Sequence, residues 1–378
     1  MASTDKLQVD KEKIKETLEE KFDLSHFDPN TVIRGAQLTL VGGKYLNSSQ
    51  RLALFTTDHY RQAALAVVAG LGIRLAITVP IIGIKVLIWF ISLFVSLDTV
   101  TWDDKLVGGL DFVAEYVLQV PFFFMALMRY VVPTLDNLFM QSLEWVDMTY
   151  VRKHQDENAS ELRDMYYPNL KAYRASRDGS THSESTAQAV SMFLYRFLRK
   201  GAISLAVFGL SYTPVVGRFV LPAASFYTFN NAVGLGPASV IFGTGIFLPR
   251  KYLVIFLQSY FSSRSLMREL LEPYFARVHF TKEQKRNWFR SREGVLFGFG
   301  LGFYILVKIP LVGVLVYGIA EASTAYLITK ITDPPPPPQQ MKEYAESEQV
   351  WSNKHEFLNM SLASIDSVPS RPFSEKAK

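Results

Sequence analysis

The sequence predicts an all-α membrane protein built from helical hairpins with Pro-x-x-Gly tips, joined by amphipathic interfacial helices. Three observations predict it. Apolar residues gather in long blocks, and charges collect between the blocks. Three of the blocks carry the same Pro-x-x-Gly pattern near their centres. Mean hydropathy is +0.11, where soluble globular chains usually fall below zero.

Residues 1–60 read as a polar N-terminal segment. Their opening stretch is charged and lacks the apolar core of a signal peptide. Thr57 is the expected N-cap of the first apolar block. Residues 61–150 form the first hairpin region. The run Ala63–Leu97 has 35 residues and two charges, Arg74 and Lys85. One straight helix of that length would measure about 52 Å, against a hydrocarbon core of about 30 Å. The run must break, and Pro80 with Gly83 is the place. A second apolar run, Leu106–Val132, contains Pro121 and stops at Pro133. From 134 to 150, Leu135, Leu138, Phe139, Leu143 and Val146 recur at helical spacing. That pattern predicts an interfacial amphipathic helix.

Residues 151–190 are rich in charge and Ser/Thr and read as a solvated connector. Residues 191–332 hold the second and third hairpin regions, with surface helices between them over 251–277 and after Thr281. Thr281 and Gln284 have the spacing of a capping box. The third hairpin region is the run Gly294–Leu327. Five prolines, 334–338, begin a stiff spacer, so residues 333–378 read as a Pro-rich spacer and disordered tail.

The three tips are Pro80-Ile81-Ile82-Gly83, Pro214-Val215-Val216-Gly217 and Pro310-Leu311-Val312-Gly313. Proline disfavours helix at the residue before it and starts a new helix well. Glycine frees the backbone to turn. A proline kink within one long helix is the competing arrangement. Arms of fifteen residues reach only about 22 Å, so such hairpins enter and return, or just cross a thin bilayer. Each tip carries a base: Lys85, Arg218 or Lys308. These cations either snorkel to lipid phosphates or converge on one anion. Glu321 is the carboxylate well inside the last apolar block. It either makes an interhelical hydrogen bond or pairs with Lys308 or Arg74 in an ion relay.

Gly298, Gly300 and Gly302 include a GxxxG spacing that favours close helix packing. Gly234, Gly236, Gly243 and Gly245 read as packing positions or breaks. The chain has no Cys, so disulfide and thiolate chemistry are excluded. Its six His stand in no metal-ligand spacing, and no catalytic motif or phosphate loop is present. Neither an enzyme, a cofactor nor a metal is expected. A net charge of +5, with bases flanking apolar blocks at Arg250, Lys251, Lys285, Arg286, Arg290 and Arg292, suits anionic headgroups better than nucleic acid. The expected partners are membrane lipids, and glycine-bearing faces also suit a homo-oligomer.

The stretch LFTTDHYRQAALAVVAGLGIRLAITVPIIGIKVLIW, together with SLMRELLEPYFARVHFTKEQKRNWFRSREGVLFGFGLGFYILVKIPLVGVLVYGIAEASTAYLITKITDPPPPP, resembles filamentous-fungal UsgS-type transmembrane proteins. More distantly it resembles the yeast outer spore wall/lipid droplet family. More remotely the proline hairpins are similar to CysZ-type and etoposide-induced membrane proteins. The resemblance spans about 50–335. It implies a protein of the endoplasmic reticulum membrane or lipid droplets with a structural or lipid-handling role, such as support of spore wall assembly. CysZ proteins imply the alternative, a channel or transporter for a small anion.

Overall fold

The structure, a computed structural model, describes residues 27–46, 82, 83, 86, 134–156, 162–173, 191, 195, 199, 202, 206, 217–247, 250–307 and 313–361. Among these residues every regular element is helical. The chain divides into two compact units, one of 1–54, 137–181 and 222–378, the other of 55–136 and 182–221. In the second unit Ile82, Gly83, Val86, Ser191, Tyr195, Arg199, Ala202 and Ala206 are helical.

The first unit is built on α1 (Pro29–Leu46), α2 (Thr134–Lys153), α3 (Tyr166–Lys171) and α4 (Gly217–Val233). Next come α5 (Leu235–Phe247), α6 (Arg250–Leu270), the short turn α7 (Glu272–Phe275) and α8 (Lys282–Ser291). Then follow α9 (Glu293–Val307), α10 (Gly313–Ile331), a 3-10 turn (Pro338–Gln340), α11 (Met341–Ser347) and α12 (Lys354–Asn359).

The centre of the unit is the pairing of α1 with α9. It is possible because the two backbones touch through glycine. A Cβ on Gly298 would stand 1.9 Å from the Val32 carbonyl oxygen, and one on Gly35 would stand 2.1 Å from that of Val295. The GxxxG spacing of α9 therefore does what its sequence predicts, and its partner is α1. Residue numbers rise together along the contact, from Val32 beside Gly298 to Thr39 beside Gly302, so the helices run parallel. The Thr39 hydroxyl donates to the Phe299 carbonyl at 3.0 Å, a side-chain bond to the α9 backbone at this close approach. Farther on, Gly42 meets Ser323 of α10. Thus α1 lies against both arms of the α9–α10 pair.

An aromatic cluster seals the other side of α9. Phe229 of α4 meets Tyr260 of α6 edge to face at 4.7 Å, and Phe256 meets Phe297 at 6.0 Å. Between α4 and α5 the chain breaks at Gly234, whose φ of 95° favours glycine.

The last apolar block holds two helices, with α9 ending at Val307 and α10 opening at Gly313. Pro80, Pro214, Pro310, Lys85 and Lys308 lie outside the described residues, as does the side chain of Arg218. Of the tip glycines, Gly83 is helical, and Gly217 and Gly313 are the first described residues of α4 and α10.

Four expectations change. The 1–60 segment is not merely a polar entry, since α1 buries Leu38 and Thr39 in the core. The apolar face of α2 packs on protein: Leu138, Phe139, Leu143 and Val146 are buried, and Leu138 reaches Gly318 of α10. The helix over 250–270 is not a surface element, because Tyr260, Leu266, Met267 and Leu270 are buried. Within the 151–190 connector, Tyr166, Leu170 and Tyr173 are also buried.

The tail differs most from its expectation. Pro334, Pro335 and Pro336 are buried, and the Pro336 carbonyl accepts from the Tyr173 hydroxyl. The Tyr166 hydroxyl donates to Thr329 at 3.3 Å and also to Thr332. Met341, Tyr344 and Ala345 form one buried stripe on α11, and Trp351 and Phe357 follow. The stripe has the i, i+3, i+4 spacing of a packed helix. Arg34 of α1 donates to the carbonyls of Leu358 and Met360, tying the tail to the first helix.

Replacing Gly298 with Leu drives a side chain into the α1 backbone, which cannot yield as a flexible side chain can. The expected cost is about 3 kcal/mol or more, read as a lowered thermal midpoint of the purified protein. The same exchange at Gly83, where a Cβ meets nothing within 4 Å, should leave the midpoint nearly unchanged.

Candidate functional site

Glu321 is fully buried, within a run of buried residues from Ala320 to Thr329 on α10. Its two proposed relay partners, Lys308 and Arg74, lie outside the described residues. Of these polar positions the structure places the carboxylate, in the interior of α10.

The strongest polar centre is one that the sequence reading missed. Arg292 sits between α8 and α9 with no exposed surface. Its Nε donates to the carbonyl of Ile331, the last residue of α10, at 2.6 Å. One terminal nitrogen donates to the Glu348 carboxylate at 2.6 Å. The other donates to the Glu348 carbonyl at 3.1 Å and to the Ser291 hydroxyl at 2.9 Å. The Trp288 ring lies 4.7 Å from the guanidinium carbon. Burial pushes the Arg292 pKa down, and the Glu348 carboxylate opposes that push. The sequence pattern groups Arg292 with Lys285, Arg286 and Arg290 as bases suited to lipid headgroups. Arg292 cannot fill that role, because it faces inward, and Lys285 pairs with Glu272 at 3.2 Å.

Beside this centre, three phenols continue the polar core. Tyr274 donates to Tyr344 over 2.9 Å, and Tyr344 donates to the Asp333 carbonyl at 2.7 Å. Burial raises the pKa of both phenols, so both keep their protons at neutral pH. Tyr260 donates to Glu293 at 2.5 Å, and Arg264 approaches the other carboxylate oxygen at 3.4 Å. Near the same C-terminal end of α10, Asp147 of α2 binds Arg163 at 3.0 Å and accepts from the Tyr167 backbone N–H at 2.7 Å. Burial raises the Asp147 pKa, and Arg163 partly offsets this. Among the described residues no cluster of His, Asp and Glu is arranged to hold a metal.

No adjacent sequence pattern announces these pairs, because the partners are far apart in the chain. One signal was available: Arg292 and Glu293 stand side by side where a charged helix gives way to an apolar one. Charges at such a junction are pulled inward with the helix they begin.

Replacing Arg292 with Met strands the Glu348 carboxylate in the interior. The expected destabilisation is about 3–5 kcal/mol, and a second change, Glu348→Leu, should recover much of it. Urea titration of the two variants checks this. Asp147 yields a pH prediction. Its folded pKa is raised above 3.8, so the folded state binds more protons than the unfolded one just above that value. Stability should therefore fall as pH rises through this window. Asp147→Asn should remove that part of the slope from the thermal midpoint plotted against pH.

No curated protein and no solved structure matches the chain. Residues 235–317, less than a quarter of the sequence, match the model of the family described as Sulfate transporter CysZ/Etoposide-induced protein 2.4. The matched stretch runs from α5 to the first turn of α10. It includes the close-packing glycines of α9, together with Tyr260, Arg264, Arg292 and Glu293.

Proposed function

We propose that the protein is a helical-hairpin integral membrane protein of the endoplasmic reticulum or lipid droplets, with a structural or lipid-handling role and no catalysis. One observation carries the reading. The two ends of the α9–α10 hairpin meet where Arg292 binds Ile331, so the chain returns to the side from which it left. Charge gathers at that base. Toward the other end, Leu40 of α1 and Ile305 and Leu306 of α9 are exposed. A base that favours water and an end that favours hydrocarbon suit a hairpin dipped into a membrane from one face.

Length supports the same reading. The 15 residues of α9 reach about 22 Å, short of a hydrocarbon core of about 30 Å. Among the described residues no helix is long and apolar enough to cross a membrane. A hairpin that returns also fits the monolayer of a lipid droplet, which has no water on its far side. Spore wall support is the finer role that the UsgS-type resemblance suggests.

A second reading, a channel or transporter for a small anion, is favoured by the matched family's description, which names a sulfate transporter. Lys85, Arg218, Lys308 and Glu321 would then line the path.

The chain lacks cysteine, so single cysteines can report on depth. Placed at Ile82, Val216 and Val312 in sealed microsomes, they should resist reagents from both faces, while one at Tyr167 labels from the cytosol. Labelling of the tips from the lumen alone would overturn the non-crossing hairpin. Sulfate flux into proteoliposomes that Glu321→Gln abolishes would move the transporter reading to first place.

A further inference from the structure

The outward side of α8 carries a row of bases. Lys282, Arg286 and Arg290 follow one another at every fourth position, so each is turned only about 40° from the last and all three share one side of the helix. Lys282 and Arg286 are exposed, and Arg290 is half-buried. Among the described residues none of the three is paired with a carboxylate. Lys285, on the flank, is already neutralised by Glu272 at 3.2 Å. Glu283 is the only carboxylate of α8, which leaves three unpaired bases against one acid, a net charge of +2. Arg268 of α6 is exposed and stands over the Phe289 ring at 5.6 Å, which brings a fourth base to the edge of the row.

The row is held from behind. Trp288 and Phe289 anchor α8 in the core. Both bonds of the Thr281–Gln284 capping box are made, and Asn287 donates to Gln349 of the tail at 2.9 Å. The helix therefore cannot roll to spread its charge.

Two ordinary causes leave part of the row unexplained. The helix dipole favours a cation in the last turn, where Arg290 sits, and opposes one in the first turn, where Lys282 sits. A face that serves solubility alone mixes the two signs, and here bases outnumber the acid three to one. Position points to the partner. α8 ends at Ser291, and α9, the first arm of the hairpin, opens at Glu293. With the hairpin dipped into a membrane, the row lies at the level where the chain enters hydrocarbon. Long basic side chains at that level reach headgroup phosphates. Nucleic acid is the other polyanion that such a row could meet, and it would have to occupy the plane of the membrane.

We propose that Lys282, Arg286 and Arg290, with Arg268 beside them, form a contact surface for anionic phospholipid headgroups at the base of the hairpin. The level of the row rests on the hairpin reading, and its preference for anionic lipid rests on its own charges.

The test uses the full chain in a non-ionic detergent. Dioctanoyl phosphatidylserine and dioctanoyl phosphatidylcholine are titrated into it separately by calorimetry. Wild type should bind the anionic lipid about tenfold or more tightly than the zwitterionic one. Lys282→Gln and Arg286→Gln should each weaken binding of the anionic lipid about fivefold. The variant that combines both with Arg290→Gln should lose the preference. Glu283→Gln should strengthen binding by a similar factor, an effect that a purely structural role does not produce, and Arg286→Lys should keep it. Thermal midpoints check that each variant is folded. A preference lost in the folded triple variant supports the proposal even where tip cysteines label from the lumen and the hairpin reading falls. Wild type with no preference, a preference that survives in the triple variant, or tighter binding of a single-stranded oligonucleotide than of the anionic lipid overturns the proposal, and the tip labels then decide the hairpin reading by themselves.

Discussion

The buried guanidinium of Arg292 is the constraint on which the rest of the first unit depends. A charge with no exposed surface must be surrounded by acceptors, or it costs several kcal/mol. Arg292 collects its acceptors from the end of α10 and from the residue that caps α11. Each acceptor fixes a piece of chain that would otherwise have no reason to be there. The hairpin base is closed because Ile331 must reach Arg292. The tail folds back because Glu348 must do so too. Burial of the Pro334–Pro336 run and the Tyr344 bond to Asp333 follow from that return path.

The second constraint is steric. The α1 and α9 backbones stand closer than any side chain allows, and they do so over two turns. Close approach of this kind gains dispersion contacts and needs no apolar driving force between the helices. It therefore works equally well in water and in lipid. That property suits a unit whose one end is charged and whose other end exposes Leu40, Ile305 and Leu306. The polar clasp at the base and the glycine contact along the shaft divide the work between two media.

Local features of this fold were legible in the sequence, and distant pairings were not. The capping box of Thr281 and Gln284 is present as read, with both bonds made. The last apolar block holds two helices, α9 and α10, and the glycines of α9 pack closely. These signals lie within a few residues of one another. The docking of α1 was hidden because its partner lies some 260 positions away, as the Thr39 bond to Phe299 shows. The tail is polar in composition, yet Met341, Tyr344 and Ala345 carry a helical stripe inside that polar stretch, and the stripe is what packs. The burial of Arg292 is not legible locally, because a base flanking an apolar run has two destinations, headgroup or core. Only the position of Glu348 decides between them.

The clasp also bears on how the chain is made. A ribosome releases α9 and α10 well before it releases Glu348. Until then the nascent hairpin can close at Ile331 but carries a guanidinium with no carboxylate to meet it. Chains interrupted before that point carry an exposed cation where finished chains carry none, a chemical mark by which incomplete copies differ from complete ones.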